Sequence, residues 1–246
     1  MEYYGITDKG MVRTQNQDCI FIPDDFMYNL YIIADGMGGA NAGDVASKNA
    51  IFYVKEYIQN NMVCEGDNKI KEMLAEAIKY ANEKVYKMSV DNQNYEGMGT
   101  TIIAVLILKN KAYIAHIGDS RLYRIRNGLI RKITKDHSYV QKLLDDKTIT
   151  KKEAKVHPKR NMLLKALGCE EEIEPDIMMK KFEANDYLIL CTDGLTNLVK
   201  DKELLLIVEQ IKDCRQICEK FIQLANTRGG YDNISTIVIH NNGVEV

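Results

Sequence analysis

The chain is predicted to be α+β, with antiparallel sheets and helices packed outside them. Two pairs of apolar runs are joined by two-residue turns. Thr100 to Leu108 meets Lys111 to Ile117 across Lys109-Asn110, and Arg121 to Arg126 meets Leu129 to Thr134 across Asn127-Gly128, the strongest short-range hairpin signal. Connections this short join antiparallel neighbours and argue against a doubly wound parallel sheet. Apolar residues at helical intervals fall in two separate blocks, one before these hairpins and one near the end of the chain. With 246 residues, 46% hydrophobic, there is ample apolar material for one large domain or two small ones.

In chain order, a polar N-terminal stretch, Thr7 to Asp18, precedes a first apolar run, Leu30-Tyr31-Ile32-Ile33-Ala34, which reads as a buried strand. Asp44 to Gln59 carries Val45, Ala46, Ile51, Val54, Tyr57 and Ile58 at spacings compatible with a helix. Asp67 to Asp91 is a clearer helix, because Ile70, Met73, Leu74, Ala77, Ile78, Ala81, Val85 and Met88 recur every three or four residues. The two hairpins follow. Residues 138 to 168 then form a polar, lysine-rich insert; Val140 to Leu144 is compatible with a short helix, and Thr150-Lys151-Lys152-Glu153 resembles a capping box. Asp186 to Thr192 reads as a strand, about Asp201 to Ile211 and Cys214 to Thr227 as helices, and Ile234 to Ile239 as a last strand. Neither linker nor repeat interrupts the order, so residues 1–241 are expected to form one domain, with 242–246 a tail.

The 33 basic residues nearly balance the 35 acidic ones, for a net charge of -2, so composition offers no nucleic-acid footprint. The start, Glu2-Tyr3-Tyr4, lacks the basic and apolar regions of a signal peptide, and no apolar run approaches the ~20 residues that cross a bilayer. The expectation is a soluble, cytoplasmic protein without membrane attachment. Its six cysteines contain no Cys-x-x-Cys pair; Cys214 and Cys218 share a helix face without a partner pair or nearby His, and all six read as reduced apolar fillers.

Chemistry concentrates in four Asp motifs. Asp35-Gly36-Met37-Gly38-Gly39, Gly118-Asp119-Ser120-Arg121 and Asp193-Gly194 each follow an apolar run, and Asp232-Asn233 leads into one. Isolated Asp-Gly pairs are usually turns. Four acids at buried strand ends are costly unless a cation neutralises them, and oxygen-only clusters suit hard divalent ions such as Mg²⁺ or Mn²⁺. Arg13 precedes Asp18 in the polar N-terminal stretch; alone it reads as a surface residue, but beside a metal site its planar fork would grip phosphate oxygens.

Taken in order, these motifs resemble the metal-dependent protein phosphatase family (protein phosphatase 2C) in its compact bacterial form. The matching segments also include Gly99-Thr100-Thr101, Asp136-His137-Ser138, His157 to Asn161, Ala166-Leu167-Gly168 and Gly229 to Asn233, so the likeness spans nearly the whole chain. It implies two facing antiparallel sheets flanked by helix pairs, a four-layer α-β-β-α arrangement with a dinuclear metal centre at one end. On the matching positions, Asp35 bridges two tightly held Mn²⁺ or Mg²⁺ ions, Asp193 and Asp232 bind the first, and the Gly36 carbonyl binds the second with Asp18 nearby, acting through water. Asp119 shares a weaker third ion with Asp193, Arg13 clamps phosphate, the insert is a flap, and His137 ties the flap's base to the sheet. Gly36, Gly38 and Gly39 would let the backbone approach the metal.

The implied activity is hydrolysis of phosphoserine and phosphothreonine by a hydroxide bridging the two ions, with Asp35 and Asp193 central to the reaction and no enzyme nucleophile. The chain lacks the Cys-x5-Arg loop of cysteine phosphatases. Met37 stands where some relatives have a histidine proposed as the leaving-group acid, and Gln17 where many have Glu. The resemblance also implies phosphorylated proteins as partners, among them a bacterial serine/threonine kinase, and a monomer. Two alternatives share the fold: a non-catalytic phosphoprotein-binding module and a hydrolase of small phosphoesters.

Overall fold

The computed structural model describes residues 1–23, 28–38 and 42–243. A five-stranded antiparallel sheet has the order β1 (Glu2–Asp8), β11 (Ile234–His240), β10 (Tyr187–Cys191), β7 (Arg121–Arg126), β8 (Leu129–Lys132). The second sheet runs β2 (Asp18–Phe21), β3 (Leu30–Met37), β5 (Ile102–Leu108), β6 (Lys111–Ile117), β9 (Asp176–Lys181), with the two-residue β4 (Gly99–Thr100) pairing to β3. Helices α1 (Ala42–Asn60) and α2 (Asp67–Asp91) pack on the second sheet. Helices α6 (Asp201–Ile211) and α7 (Cys214–Thr227) pack on the first.

Strand alternation builds the four layers. In β3, Leu30, Ile32 and Ala34 face the α1/α2 core, whereas Tyr31 and Ile33 join the core between the sheets. In β10, Tyr187, Ile189 and Cys191 face α6/α7 while Leu188 and Leu190 point inward, and Ile237 and Ile239 of β11 do the same. Both faces of each sheet are covered, so its central strands read as unbroken apolar runs although their pairing is antiparallel.

Both predicted hairpins form, with Leu108 opposite Lys111 and Arg126 opposite Leu129. Asn127 and Gly128 sit at φ 49° and 71°, which suits a turn requiring two positive φ angles. Sequence reading placed α2 correctly and overran β8, which stops at Lys132; beyond it the Thr134 hydroxyl, rather than a ladder bond, accepts from the Leu122 N–H at 3.0 Å. Strands β1, β2 and β9 were not anticipated. The first two are short or half-exposed, and β9 (Asp-Ile-Met-Met-Lys-Lys) has neither strict alternation nor β-branched density.

The insert forms α3 (Tyr139–Asp145), capped by Ser138, and α4 (Lys151–Val156), whose Thr150–Glu153 capping box is complete. Its two ends meet: Tyr139 N–H donates to the Met162 carbonyl and Leu164 N–H to that of His137, each at 2.8 Å. All six cysteines are free thiols; Cys214 and Cys218 are buried where α7 meets β1.

Candidate metal centre

Strand ends carry the acids. Asp18 opens β2 directly opposite Asp35 near the end of β3. Asp119 lies in the turn leaving β6, Asp193 begins a one-turn helix, α5 (Asp193–Thr196), after β10, and Asp232 precedes β11. Both sheets present these ends on the same side of the sandwich. The carboxylates of Asp18, Asp193, Asp119 and Asp232 are all near enough to Asp35 to act on its charge.

Hydroxyl side chains at or beside the ends of neighbouring strands hold the acids. Asp18 Oδ2 accepts from Thr192 Oγ1 at 2.9 Å and Ser235 Oγ at 2.7 Å, which ties the second sheet to the first. Asp18 Oδ1 is buried with no hydrogen-bond partner. Asp35 N–H donates to Thr101 Oγ1 at 3.0 Å, and that oxygen lies 2.8 Å from Ser120 Oγ beside Asp119. Asp193 accepts from Asn197 at 3.1 Å. Asn233 fixes the N-terminal stretch: its Oδ1 accepts from Gln17 N–H at 2.8 Å, and its Nδ2 donates to the Lys9 and Gln15 carbonyls.

Electrostatically the cluster is under-neutralised. Burial, then neighbouring acids, raises Asp35 well above the usual carboxylate range. The same causes push Asp18 and Asp119 up to about 7, although hydroxyl donors on Asp18 and Arg121 near Asp119 work against them. Asp193 is raised by burial and by Asp232. Asp136 behaves oppositely: burial raises it, but Arg121, which grips it with contacts from 2.7 to 3.2 Å, and Lys132 hold it below its ordinary value. An acid cluster with an orphaned buried oxygen and mutually raised carboxylates fits hard divalent cations, which would satisfy oxygen and charge together. No three of these carboxylates bring ligand atoms within 4.8 Å of one another; among the described residues only His116, His137 and Asp176 do. The acid cluster is therefore more open than one ion's shell.

Arg13 donates to Asp232 Oδ2 at 2.9 Å, and both side chains are substantially exposed. A guanidinium able to leave this pair for a ligand thus borders the acids. Gly36 is required for a reason that the sequence did not suggest: a Cβ there would sit 2.0 Å from the Gly43 carbonyl oxygen, so the glycine lets the start of α1 press against β3. Gly39 lies outside the described residues. Lys151, Lys152 and Lys155 are exposed on α4. His137 sits at the base of the insert, with its backbone N–H on the Gly118 carbonyl.

Sequence reasoning found the acids but missed Thr101, Ser120, Thr192 and Ser235 as their holders, and gave no role to Asn233. The one local signal was a hydroxyl residue adjoining an acid, as in Thr192-Asp193 and Asp119-Ser120.

The family model for protein phosphatase 2C matches residues 11–236. The chain is 36% identical over 238 residues to the serine/threonine phosphatase stp of Listeria welshimeri, covering 96% of this chain and 94% of that one. It superposes with a TM-score of 0.91 on the serine/threonine phosphatase of S. agalactiae, at 34% identity and 97% and 98% coverage. A further solved structure, the catalytic domain of serine threonine protein phosphatase PstP in complex with two manganese ions, matches with a TM-score of 0.84, 34% identity and 96% coverage of both chains.

Proposed function

Since this chain belongs to the protein phosphatase 2C family and is a metal-dependent serine/threonine protein phosphatase, we propose that the five-acid cluster is its catalytic centre and that Asp35, Asp193, Asp232 and the Gly36 carbonyl hold two Mn²⁺ or Mg²⁺ ions. Bound divalent ions supply the polarisation that makes water nucleophilic near neutral pH and offset charge on the phosphoryl oxygens. Asp35, on whose charge the other four acids act, would be shared by the two ions. Asp18, pinned through one oxygen, has its other oxygen buried and unpartnered and would offer it to the second ion's shell. Asp119 and Asp193 would hold a weaker third ion. Arg13 releases Asp232 to take two oxygens of the substrate phosphate, and so orients phosphorus for in-line displacement of the serine or threonine oxygen.

The observation carrying this reading is the convergence of five carboxylates from both sheets, with proton affinity raised at Asp18, Asp35, Asp119 and Asp193 and one exposed arginine at their edge. No cysteine thiol is assigned to the chemistry. Attack by water in one step predicts inversion at a chiral phosphorus, whereas a phosphoenzyme would give retention. Retention would overturn the direct mechanism.

Phosphoproteins are the substrates. We further propose that residues 1–241 act as one domain, a cytoplasmic monomer, and that the partners include a bacterial serine/threonine kinase. Among the described residues no helix is long and apolar enough to cross a membrane.

A further inference from the structure

Among the described residues, one group of potential metal-ligating side chains lies outside the acid centre. His116, on β6, directly faces Asp176, on β9, and its buried ring lies 4.7 Å from that of His137 at the root of the flap. His137 Nε2 is 3.2 Å from Asp176 Oδ2. Three such groups invite a metal-site reading, but the hydrogen bonding opposes it. His137 Nδ1 accepts from Gly118 N–H at 3.1 Å, so the ring proton resides on Nε2, the atom facing Asp176. A metal at Nε2 would have to displace that proton while the Gly118 N–H still points at the other nitrogen. The arrangement matches a different one, in which a carboxylate fixes the tautomer of an imidazole that orients something else.

What it orients is the Gly118-Asp119 turn. His137 holds Gly118 twice, accepting its N–H at Nδ1 and donating its own backbone N–H to the Gly118 carbonyl at 2.8 Å. Gly118 sits at φ +104°, a conformation that other residues rarely adopt, so the turn depends on outside contacts for its setting. On the other side of Asp119, Ser120 is tied to Thr101. The His137 carbonyl in turn accepts from Leu164, the closing end of the flap.

We propose that His137, with its tautomer set by Asp176, is a positioning residue that fixes the Gly118-Asp119 turn and couples Asp119 to the flap. This rests on the assignment of Asp119 to a weakly held divalent ion. His137 itself touches neither ion nor substrate. It holds the carboxylate-bearing turn in register, so that the ion site forms at modest Mn²⁺ and responds when the flap root moves.

The test uses full-length His137→Asn, His137→Gln, Asp176→Ala, Asp119→Ala and the His137→Gln/Asp119→Ala double variant. Each is assayed on a phosphothreonine peptide across a Mn²⁺ titration, with Tm measured alongside. Asn places an oxygen near the former Nδ1 and can still accept from Gly118; Gln cannot. His137→Gln should raise the Mn²⁺ needed for half-maximal turnover about tenfold, as loss of a ligand-orienting partner does, while His137→Asn stays within about threefold of wild type. Asp176→Ala, at a half-exposed position, should shift in the same direction as His137→Gln with an unchanged Tm. The double variant should be no slower than Asp119→Ala alone, because both changes act through one carboxylate. Multiplicative losses in the double variant, or Asn failing as badly as Gln, would overturn the positioning role while leaving Asp119 in place. Wild-type turnover in Asp119→Ala would remove the Asp119 assignment and this proposal with it.

Discussion

Arg13 and Asp232 form an ion pair exposed at both ends, which contributes little to stability and can be exchanged for a ligand. Arg13→Ala is therefore expected to change stability by less than about 1 kcal/mol while raising KM for a phosphopeptide and weakening inhibition by inorganic phosphate. Steady-state kinetics with a phosphate series would check this, and unchanged phosphate inhibition would remove Arg13 as the clamp. Asp18 poses the opposite case, buried and held by Thr192 and Ser235. Its partners were illegible in the sequence because they lie more than 170 positions away, just after β10 and on β11 of the other sheet. Asp35, Asp119, Asp193 and Asp232 were legible because an Asp after or before an apolar run is a local pattern, whereas Asp18 entered only through the family resemblance. The reason for Gly36 was not, since it depends on where α1 begins to pack.

At the scale of elements, legibility followed burial. Strands β3, β5, β6, β10 and β11 are covered on both faces and announce themselves as apolar runs, and α2 shows a full helical repeat. Strands β1, β2 and β9 were invisible because each is stabilised by pairing with a neighbour more than by its own pattern, whereas β8, also at a sheet edge, was marked by its Asn127-Gly128 turn. The strand-end geometry of the acids depends on the inter-sheet core. Leu190→Ala, at a fully buried position between the sheets, should destabilise the fold by about 2–5 kcal/mol in urea unfolding. A loss below about 1 kcal/mol would mean that this layer is more plastic than its packing implies. In the flap, Thr150→Ala should cost about 1 kcal/mol of local helix stability. Hydrogen exchange should accelerate in α4 while global unfolding barely changes, whereas uniform acceleration throughout the protein would contradict a local cap.

Across the whole molecule the acid centre sets the response to pH. Asp18 and Asp119 titrate near 7 in the folded, metal-free protein, and Asp35 and Asp193 are raised as well, against 3.8 as the ordinary value. Between about pH 4 and 7 the folded state then binds more protons than the unfolded one, so stability falls as pH rises. His116, pushed down to about 4 by burial, then by His137, acts in the opposite sense over part of that window, one imidazole against four carboxylates. Metal binding must expel the acids' protons. The Tm of chelator-treated protein should decline from about pH 5 to about pH 7.5, and the Mn²⁺-induced rise in Tm should be larger at the higher pH. A Mn²⁺ shift independent of pH would show that these carboxylates are not the ligands.

The most direct measurement of the central claim is hydrolysis of a phosphothreonine peptide by chelator-treated wild type and Asp35→Asn across a Mn²⁺ titration. The wild type should be inactive without metal and recover fully with Mn²⁺. Asp35→Asn, which loses the charge of the proposed bridging acid, should remain orders of magnitude slower at saturating Mn²⁺. Full activity in the metal-free wild type, or wild-type kcat in Asp35→Asn, would contradict the account.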